Sequence, residues 1–103
     1  MKYRTLRTDK AEEQLRDIIF YIAKDSGNVD IAFMYLDKIE KMIDRLQDFP
    51  ESGSIPRHSI LKKQGYRVLI IERHLVFYKI DEDKKAVIIY AIVDGRREYL
   101  DLL

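Results

Sequence analysis

The residues best able to do chemistry in this chain are basic, and they are concentrated in one stretch. Between residues 57 and 74 a single acidic residue, Glu72, stands against five basic residues and two histidines. Such a concentration predicts a positive patch that binds phosphates or an acidic partner, although solvated basic residues that keep strand edges from pairing would give the same pattern. The basic and imidazole side chains are Arg57, His58, Lys62, Lys63, Arg67, Arg73 and His74.

The charge balance and the missing residue types limit the chemistry further. Net charge is only +1, but residues 57–103 hold ten of the 19 Lys and Arg residues and seven of the 18 Asp and Glu residues. The chain has no cysteine, which excludes disulfides, thiolate nucleophiles and cysteine-ligated zinc. The two histidines lack partners at metal-binding spacing, and there is no glycine-rich phosphate loop. We therefore expect neither a metal nor a cofactor.

Length and hydropathy favour one small soluble domain. The 103 residues are 47% hydrophobic and 11% aromatic, which is enough for one core within a domain spanning residues 1–103. The first residues lead into no long apolar run, so a signal peptide is not expected. The longest apolar run, Ala86–Val93, is far shorter than the roughly 20 residues that span a bilayer. These features predict a cytoplasmic protein with no membrane partner.

Two amphipathic helices are predicted in the first half of the chain. Asp9 and Glu12 have the spacing of a capping box, and helical periodicity follows to about residue 25. Gly27 suits a left-handed helix end, and Asn28 or Asp30 can cap a second helix that runs to about residue 48. A Phe-Pro pair ends this helix, since the residue before proline is pushed out of the helical region. The short linker predicts an antiparallel helical hairpin.

β-Strands are predicted on either side of the hairpin. Residues 51–64 are predicted as an irregular connection, and His74 as part of a tight corner between two strands. The fold class is therefore α+β: an N-terminal strand, an antiparallel helical hairpin, then a three-stranded antiparallel meander in one sheet with the helices on one face. The predicted strands are residues 2–7, 66–72, 75–81 and 86–93.

The last predicted strand is apolar on both sides. A strand of this kind must be covered on both faces of its sheet. The helical hairpin can cover one face, and the other is closed by the C-terminal leucines, covered by another chain, or left as a hydrophobic groove. The two predicted sets are Val87, Ile89, Ala91 and Val93 on one face and Ile88, Tyr90 and Ile92 on the other.

Residues along nearly the whole chain match an ordered family pattern. They are Ala11, Leu15, Ile18, Tyr21 and Ile22; Ala32, Tyr35, Leu36 and Ile39; Leu46, Phe49, Pro50 and Gly53; the runs 66–69 and 74–80; and Ile89, Ala91 and Ile92 with the run 95–99. This ordered set resembles the RelE/ParE superfamily of bacterial toxins. The resemblance implies the toxin of a type II toxin–antitoxin module, neutralised by a cognate antitoxin whose extended segment wraps around it.

The superfamily contains two activities: some members cleave mRNA in the ribosome, and ParE-type members inhibit DNA gyrase. Where ribonuclease members carry a further arginine in the second meander strand, this chain has the apolar run 75–77. Where many relatives have a histidine after the last strand, it has Asp94. We therefore expect ParE-like inhibition of DNA gyrase. The alternatives are a metal-independent, ribosome-dependent mRNA endoribonuclease and a non-toxic binding subunit of the same fold.

The resemblance also assigns residues to roles. In a ribonuclease, Arg67 and Arg97 would stabilise the developing phosphate charge and Tyr99 would relay a proton. Arg67 has a structural alternative, which is an ion pair with Glu72 or Glu98 across the sheet. The residues assigned to phosphate or partner binding are Lys62, Lys63, Arg73, His74 and Arg96, and those assigned to the antitoxin are Ile88, Tyr90, Ile92 and Leu100.

Overall fold

Four strands and a helical hairpin make up the fold of residues 2–103, the part of the chain that the computed structural model describes. The elements are β1 (Arg4–Arg7), α1 (Asp9–Ser26), α2 (Val29–Asp44), α3 (Ser59–Lys63), β2 (Arg67–Ile71), β3 (His74–Asp81) and β4 (Ala86–Asp94), with 3-10 turns at Arg45–Gln47 and Leu100–Leu102. The strands form one sheet in the order β1-β4-β3-β2. β1 runs parallel to β4, and the other neighbours are antiparallel. The predicted α+β fold is confirmed.

Local capping explains where the helices of the hairpin begin and end. The Thr8 hydroxyl accepts a hydrogen bond from the first turn of α1 at 3.1 Å, so Thr8 and not Asp9 is the cap, and the helix starts one residue earlier than predicted. Gly27 ends α1 with φ at 68°, in the left-handed region that glycine adopts without strain, as predicted. The Asn28 side chain accepts a backbone hydrogen bond at 2.9 Å and caps α2, also as predicted.

The main core lies between the hairpin and the sheet. The helices contribute the apolar stripes that their period predicts, and the three meander strands contribute alternate residues. Tyr78 is fully buried there. Its hydroxyl can be buried without loss because it donates to the Pro50 carbonyl and accepts from Gly53 N. The buried residues of this core are Ala11, Leu15, Ile39, Ile43, Leu46, Leu69, Ile71, Val76, Tyr78, Val87, Ile89 and Ile92.

The opposite face of the sheet is covered in part by the segment after the hairpin and by the C-terminus. Ser54 pairs with Val68 along the outer side of β2, and Leu61 of α3 is buried in a second apolar cluster on this face. The predicted irregular connection over residues 51–64 is therefore wrong in part, because Ser59–Lys63 form a short helix and Ser54 pairs with the edge of the sheet. Leu102 and Leu103 pack against the same cluster, so the C-terminal leucines do close part of this face.

A β-bulge in β4 changes which side chains share a face. The register of β3 and β4 shifts between Phe77 and Tyr78, which leaves Tyr90 without a partner on β3. Because side chains alternate between faces with a period of two, this extra residue places the side chains that follow it on the face opposite to the one that simple alternation predicts. Ile92 consequently joins the main core with 1% of its surface exposed. The predicted common face of Ile88, Tyr90 and Ile92 is wrong for Ile92.

Candidate functional site

Four of the predicted charged or imidazole site residues meet where β3 begins and β4 ends, and the predicted antitoxin residue Ile92 lies beside them. Arg73, His74, Arg96 and Arg97 line a groove of about 490 Å³, which we call the arginine groove. One side of α1 and the C-terminal turn complete it. The remaining lining residues are Gln14, Asp17, Ile18, Tyr21, Ile22, Ile92, Val93, Asp94 and Leu102.

The polar end of the arginine groove is an ion cluster around one largely buried carboxylate. Asp94 Oδ2 lies 3.7 Å from Arg73 Nε and 3.4 Å from Arg96 Nη2. Asp94 Oδ1 also accepts a hydrogen bond from Arg96 N at 2.9 Å, and this bond together with the guanidinium groups lowers the pKa of Asp94. Within residues 2–103 no ion pair involves Arg97. The cluster therefore holds more positive than negative charge.

His74 is held as a neutral imidazole in a defined tautomer. Its Nδ1 lies 2.7 Å from the Tyr35 hydroxyl, which also lies 3.0 Å from the Ile71 carbonyl. A carbonyl only accepts, so the hydroxyl donates to Ile71 and accepts from Nδ1–H of His74. Burial lowers the pKa of His74 against the opposing charge of Asp94. Burial, followed by the charge of Glu72, raises the pKa of Tyr35 to about 12, so Tyr35 keeps its proton.

The position of His74 differs from the predicted one. Glu72 and Arg73 form the turn between β2 and β3, with Glu72 at a φ of 53°, and His74 is already the first residue of β3. Only 4% of His74 is exposed. The prediction that His74 is part of the corner is therefore wrong, because the turn is completed one residue earlier and the imidazole packs against Tyr35 of α2.

Arg67 binds the loop that follows the hairpin. Its Nη2 donates to the Glu51 and Gly53 carbonyl oxygens, both at 2.8 Å. The Tyr78 hydroxyl secures the same loop by donating to the Pro50 carbonyl at 2.7 Å and accepting from Gly53 N at 3.0 Å. A Cβ atom at Gly53 would lie 2.5 Å from that hydroxyl oxygen, so only glycine fits. The suggested cross-sheet ion pair of Arg67 is not formed within residues 2–103.

Tyr99 belongs to the second apolar cluster and not to the arginine groove. Its ring centroid lies 5.3 Å from that of Phe77 and 5.5 Å, edge to face, from that of His58. Within residues 2–103, Tyr99 shares no hydrogen bond or ion pair with Arg67 or Arg97. Lys62 and Lys63 are exposed on α3, the short helix that begins directly after His58. The three residues assigned to catalysis thus lie in three separate sets of contacts.

The predicted antitoxin residues are spread over several surroundings. Ile88 and Tyr90 are half-buried and flank Lys79 on the face of the sheet away from the hairpin. The Lys79 ammonium lies 4.5 Å from the ring centroid of Tyr66 and 5.2 Å from that of Tyr90, which are cation–π distances. Leu100 is 37% exposed in the C-terminal turn.

A second groove, which the sequence interpretation missed, separates the two helices of the hairpin. This hairpin groove has a volume of about 520 Å³ and is mostly apolar. Arg7 lies on its rim and pairs with both Glu12 and Glu40, and the exposed Arg16 brings the net charge of the lining to zero. Aromatic and branched residues beside the core stripes of both helices could have revealed it. The apolar side chains are Leu15, Ile19, Phe20, Ala23, Val29, Ala32, Phe33 and Leu36.

Two further features bear on the class of protein. In the part of the chain that the structure describes, no three His, Asp or Glu side chains are placed to hold one metal ion. No helix among residues 2–103 has both the length and the hydropathy that crossing a membrane requires.

Comparisons with known proteins identify the family and the fold. A family model described as the ParE toxin of the type II toxin–antitoxin system parDE matches residues 6–99. The structure is similar to that of a chromosomal ParDE system from P. aeruginosa, with a TM-score of 0.74 and 18% identity over 90% of this chain and 96% of that one.

A second similar structure is the toxin–antitoxin complex RelBE2 from Mycobacterium tuberculosis. Its TM-score is 0.62, with 16% identity over 91% of this chain and 92% of that chain. At such identities the two structures establish a common fold. No curated protein matches the sequence.

Proposed function

Because the chain belongs to the ParE toxin family of type II toxin–antitoxin systems, we propose that it arrests bacterial growth, that a cognate antitoxin neutralises it, and that its target is DNA gyrase. The family membership rests on a match over residues 6–99. The neutralising partner and the target are separate parts of the proposal, and different surfaces of the molecule support them.

The hairpin groove supports the antitoxin part of the proposal. Phe20 and Phe33, which line it, are 69% and 57% exposed, and so large an apolar surface on a small protein marks a site of interaction. An amphipathic helix of the antitoxin could bury these rings while Arg7 keeps its ion pairs with Glu12 and Glu40. Ile88, Tyr90 and Leu100 lie elsewhere and are proposed as a second contact.

The separation of Arg67, Arg97 and Tyr99 into different sets of contacts supports the gyrase proposal. Cleavage of RNA through its 2′-hydroxyl needs a base, an acid and cations around one phosphate. Arg67 Nη2 donates to two loop carbonyls, and Tyr99 packs against Phe77 and His58. The Nδ1 proton of His74 is already bound to a tyrosine hydroxyl. These contacts favour a poison that acts by binding.

The alternative, mRNA cleavage, has one observation in its favour. His58 and Tyr99 are in contact beside α3, which presents Lys62 and Lys63 to solvent. An imidazole, a phenol and two ammonium groups in one region are the types of group that ribonuclease chemistry uses. This site would lie on the face of the sheet away from the hairpin.

Expression of the chain alone in a bacterial host tests these functions against one another. Gyrase inhibition predicts filamentous cells, DNA breaks and intact mRNA, and it predicts that the purified protein blocks supercoiling by purified gyrase. Codon-phased mRNA cleavage that disappears in Tyr99→Phe and His58→Gln, with unchanged melting temperatures, would instead establish the ribonuclease. Normal growth at confirmed expression would leave the non-toxic binding subunit.

A further inference from the structure

The arginine groove is short of negative charge. Arg73 and Arg96 share the single carboxylate of Asp94, and Arg97 has no ion pair among residues 2–103. Asp17 on α1 is the only other carboxylate lining the groove, and it is exposed and unpaired within the described residues. Three guanidinium groups therefore face two carboxylates, and a further carboxylate brought by a ligand would be bound by charge-assisted hydrogen bonds.

The rest of the groove is apolar, which selects the class of ligand. Ile92 and Val93 are buried in its floor, Ile18 and Ile22 are half-buried along α1, and Tyr21 is 56% exposed at its mouth. Nucleic acids are held chiefly through their phosphates, and an aliphatic floor offers them little. A protein segment that places an apolar side chain beside an acidic one satisfies both parts of the groove.

The groove also dictates how such a segment binds. Beyond the end of β1, the free edge of β4 is capped by Gln14, whose Oε1 accepts from Ile92 N at 2.9 Å. The Nε2 atom of Gln14 donates to the Leu102 carbonyl at 2.9 Å, which holds the C-terminal turn against the groove. The N–H that an added strand would need is therefore already bonded, and a ligand binds through its side chains.

We propose that the arginine groove docks an acidic segment of the protein that this chain inhibits, with a carboxylate on Arg96 and Arg97 and an apolar side chain on Ile18 and Ile22. The inference rests on the proposed function and names the target-binding surface. Charge separates this surface from the hairpin groove, whose rim is already neutral and which we assign to the antitoxin.

Charge reversal at the unpaired arginine tests this assignment. Arg97→Glu should raise the number of colonies that survive expression by at least about tenfold, because a repelled carboxylate costs more than about 1.4 kcal/mol. The same variant should inhibit purified DNA gyrase about tenfold less strongly and should keep its affinity for the antitoxin within about threefold. Arg97→Lys, which keeps the charge, should lose much less.

Controls separate a local effect from misfolding and from failure of the proposed function. Lys84→Glu makes the same charge change on the turn before β4 and should leave growth arrest and melting temperature unchanged. Growth arrest by Arg97→Glu at the level of the unaltered chain, or a parallel loss of antitoxin binding, would overturn the assignment of this groove to the target. If the unaltered chain itself fails to arrest growth, the proposed function falls and the inference falls with it.

Discussion

The two sides of α1 line two grooves of opposite character. On one side the hairpin groove is wide, aromatic and without net charge, because Arg7 and Arg16 balance Glu12 and Glu40. On the other side the arginine groove is positive at one end, and the C-terminal turn is bonded across it through Gln14. The core stripe of the helix runs between them, so one helix stabilises the fold and separates two binding chemistries. We therefore expect substitutions in the hairpin groove to weaken antitoxin binding without affecting target inhibition, and substitutions in the arginine groove to do the reverse.

The largest effect is expected in the hairpin groove. Phe20→Ala combined with Phe33→Ala should weaken antitoxin binding by about 100-fold or more, since two buried aromatic anchors contribute roughly 3 kcal/mol or more together. Titration calorimetry with the purified antitoxin measures this loss. Met34→Ala is the matched control, because Met34 is 72% exposed on α2 but lies outside the groove. If the double phenylalanine variant lost no more antitoxin affinity than Met34→Ala, the hairpin groove would not be part of the antitoxin interface.

A smaller effect is expected where α1 holds the C-terminal turn. Gln14→Ala removes two hydrogen bonds and leaves the Ile92 N–H without its partner, which should lower the free energy of unfolding by about 1–3 kcal/mol. Urea unfolding measures the change, with Glu13→Ala, an exposed neighbour, as control. A change of less than about 0.5 kcal/mol would mean that the turn is held by its leucines alone.

The stability of the arginine groove should depend on pH through His74. Burial lowers its folded-state pKa below the ordinary value of 6.5, so the unfolded chain binds the proton more readily. The stability carried by the neutral imidazole is complete above pH 6.5 and is lost as the pH falls from there towards the folded-state pKa. The slope cannot exceed about 1.4 kcal/mol per pH unit for one proton.

Urea unfolding between pH 5 and 7.5 measures this dependence. His74→Gln should flatten the profile in that range, whereas His58→Gln should not. An unchanged slope in His74→Gln would show that another group binds the proton.

The smallest effect is expected at the surface ion pair behind the arginine groove. Lys38 Nζ lies 2.6 Å from Glu72 Oε2, but both side chains are more than half exposed, so Lys38→Ala should cost less than about 0.5 kcal/mol. Tyr35→Phe, which removes the hydroxyl that binds His74, should cost about 1–2 kcal/mol in the same unfolding experiment. The reverse order would mean that the surface pair, and not the buried hydrogen bonds, holds the turn that carries Arg73.

Features decided by neighbouring residues could be predicted from the sequence. The hairpin, its break at Gly27 and the cap at Asn28 depend on helical period and on the conformational freedom of single residues. The cap of α1 was misplaced by one residue because Thr8 and Asp9 both carry suitable oxygen atoms. The pairing of β1 with β4 joins residues about 80 positions apart, and no local pattern specifies that it is parallel.

The candidate site was predictable only as separate pieces. Arg73, His74, Arg96 and Arg97 were each proposed, but their convergence depends on the register that places His74 opposite Asp94. The buried environment of His74 comes from Tyr35 on α2, and sequence spacing gives no sign of that contact. The hairpin groove was missed because Phe20 and Phe33, which lie beside the core stripes of the two helices, were not considered as a possible exposed apolar surface.

The bulge at Tyr90 has a consequence for comparing this chain with its distant relatives. Because β4 changes phase there, the side chains that face the main core have odd numbers before residue 90, at Val87 and Ile89. After residue 90 the core-facing position has an even number, at Ile92. An alignment that runs through without a gap will equate inward with outward positions in any relative that lacks the extra residue. Deletion of Tyr90 would remove the bulge, and Ile92 and Val93 would keep their faces because Ala91 would then follow Ile89 directly in the register of β3. The strand is therefore best aligned as two short half-strands, each in its own phase.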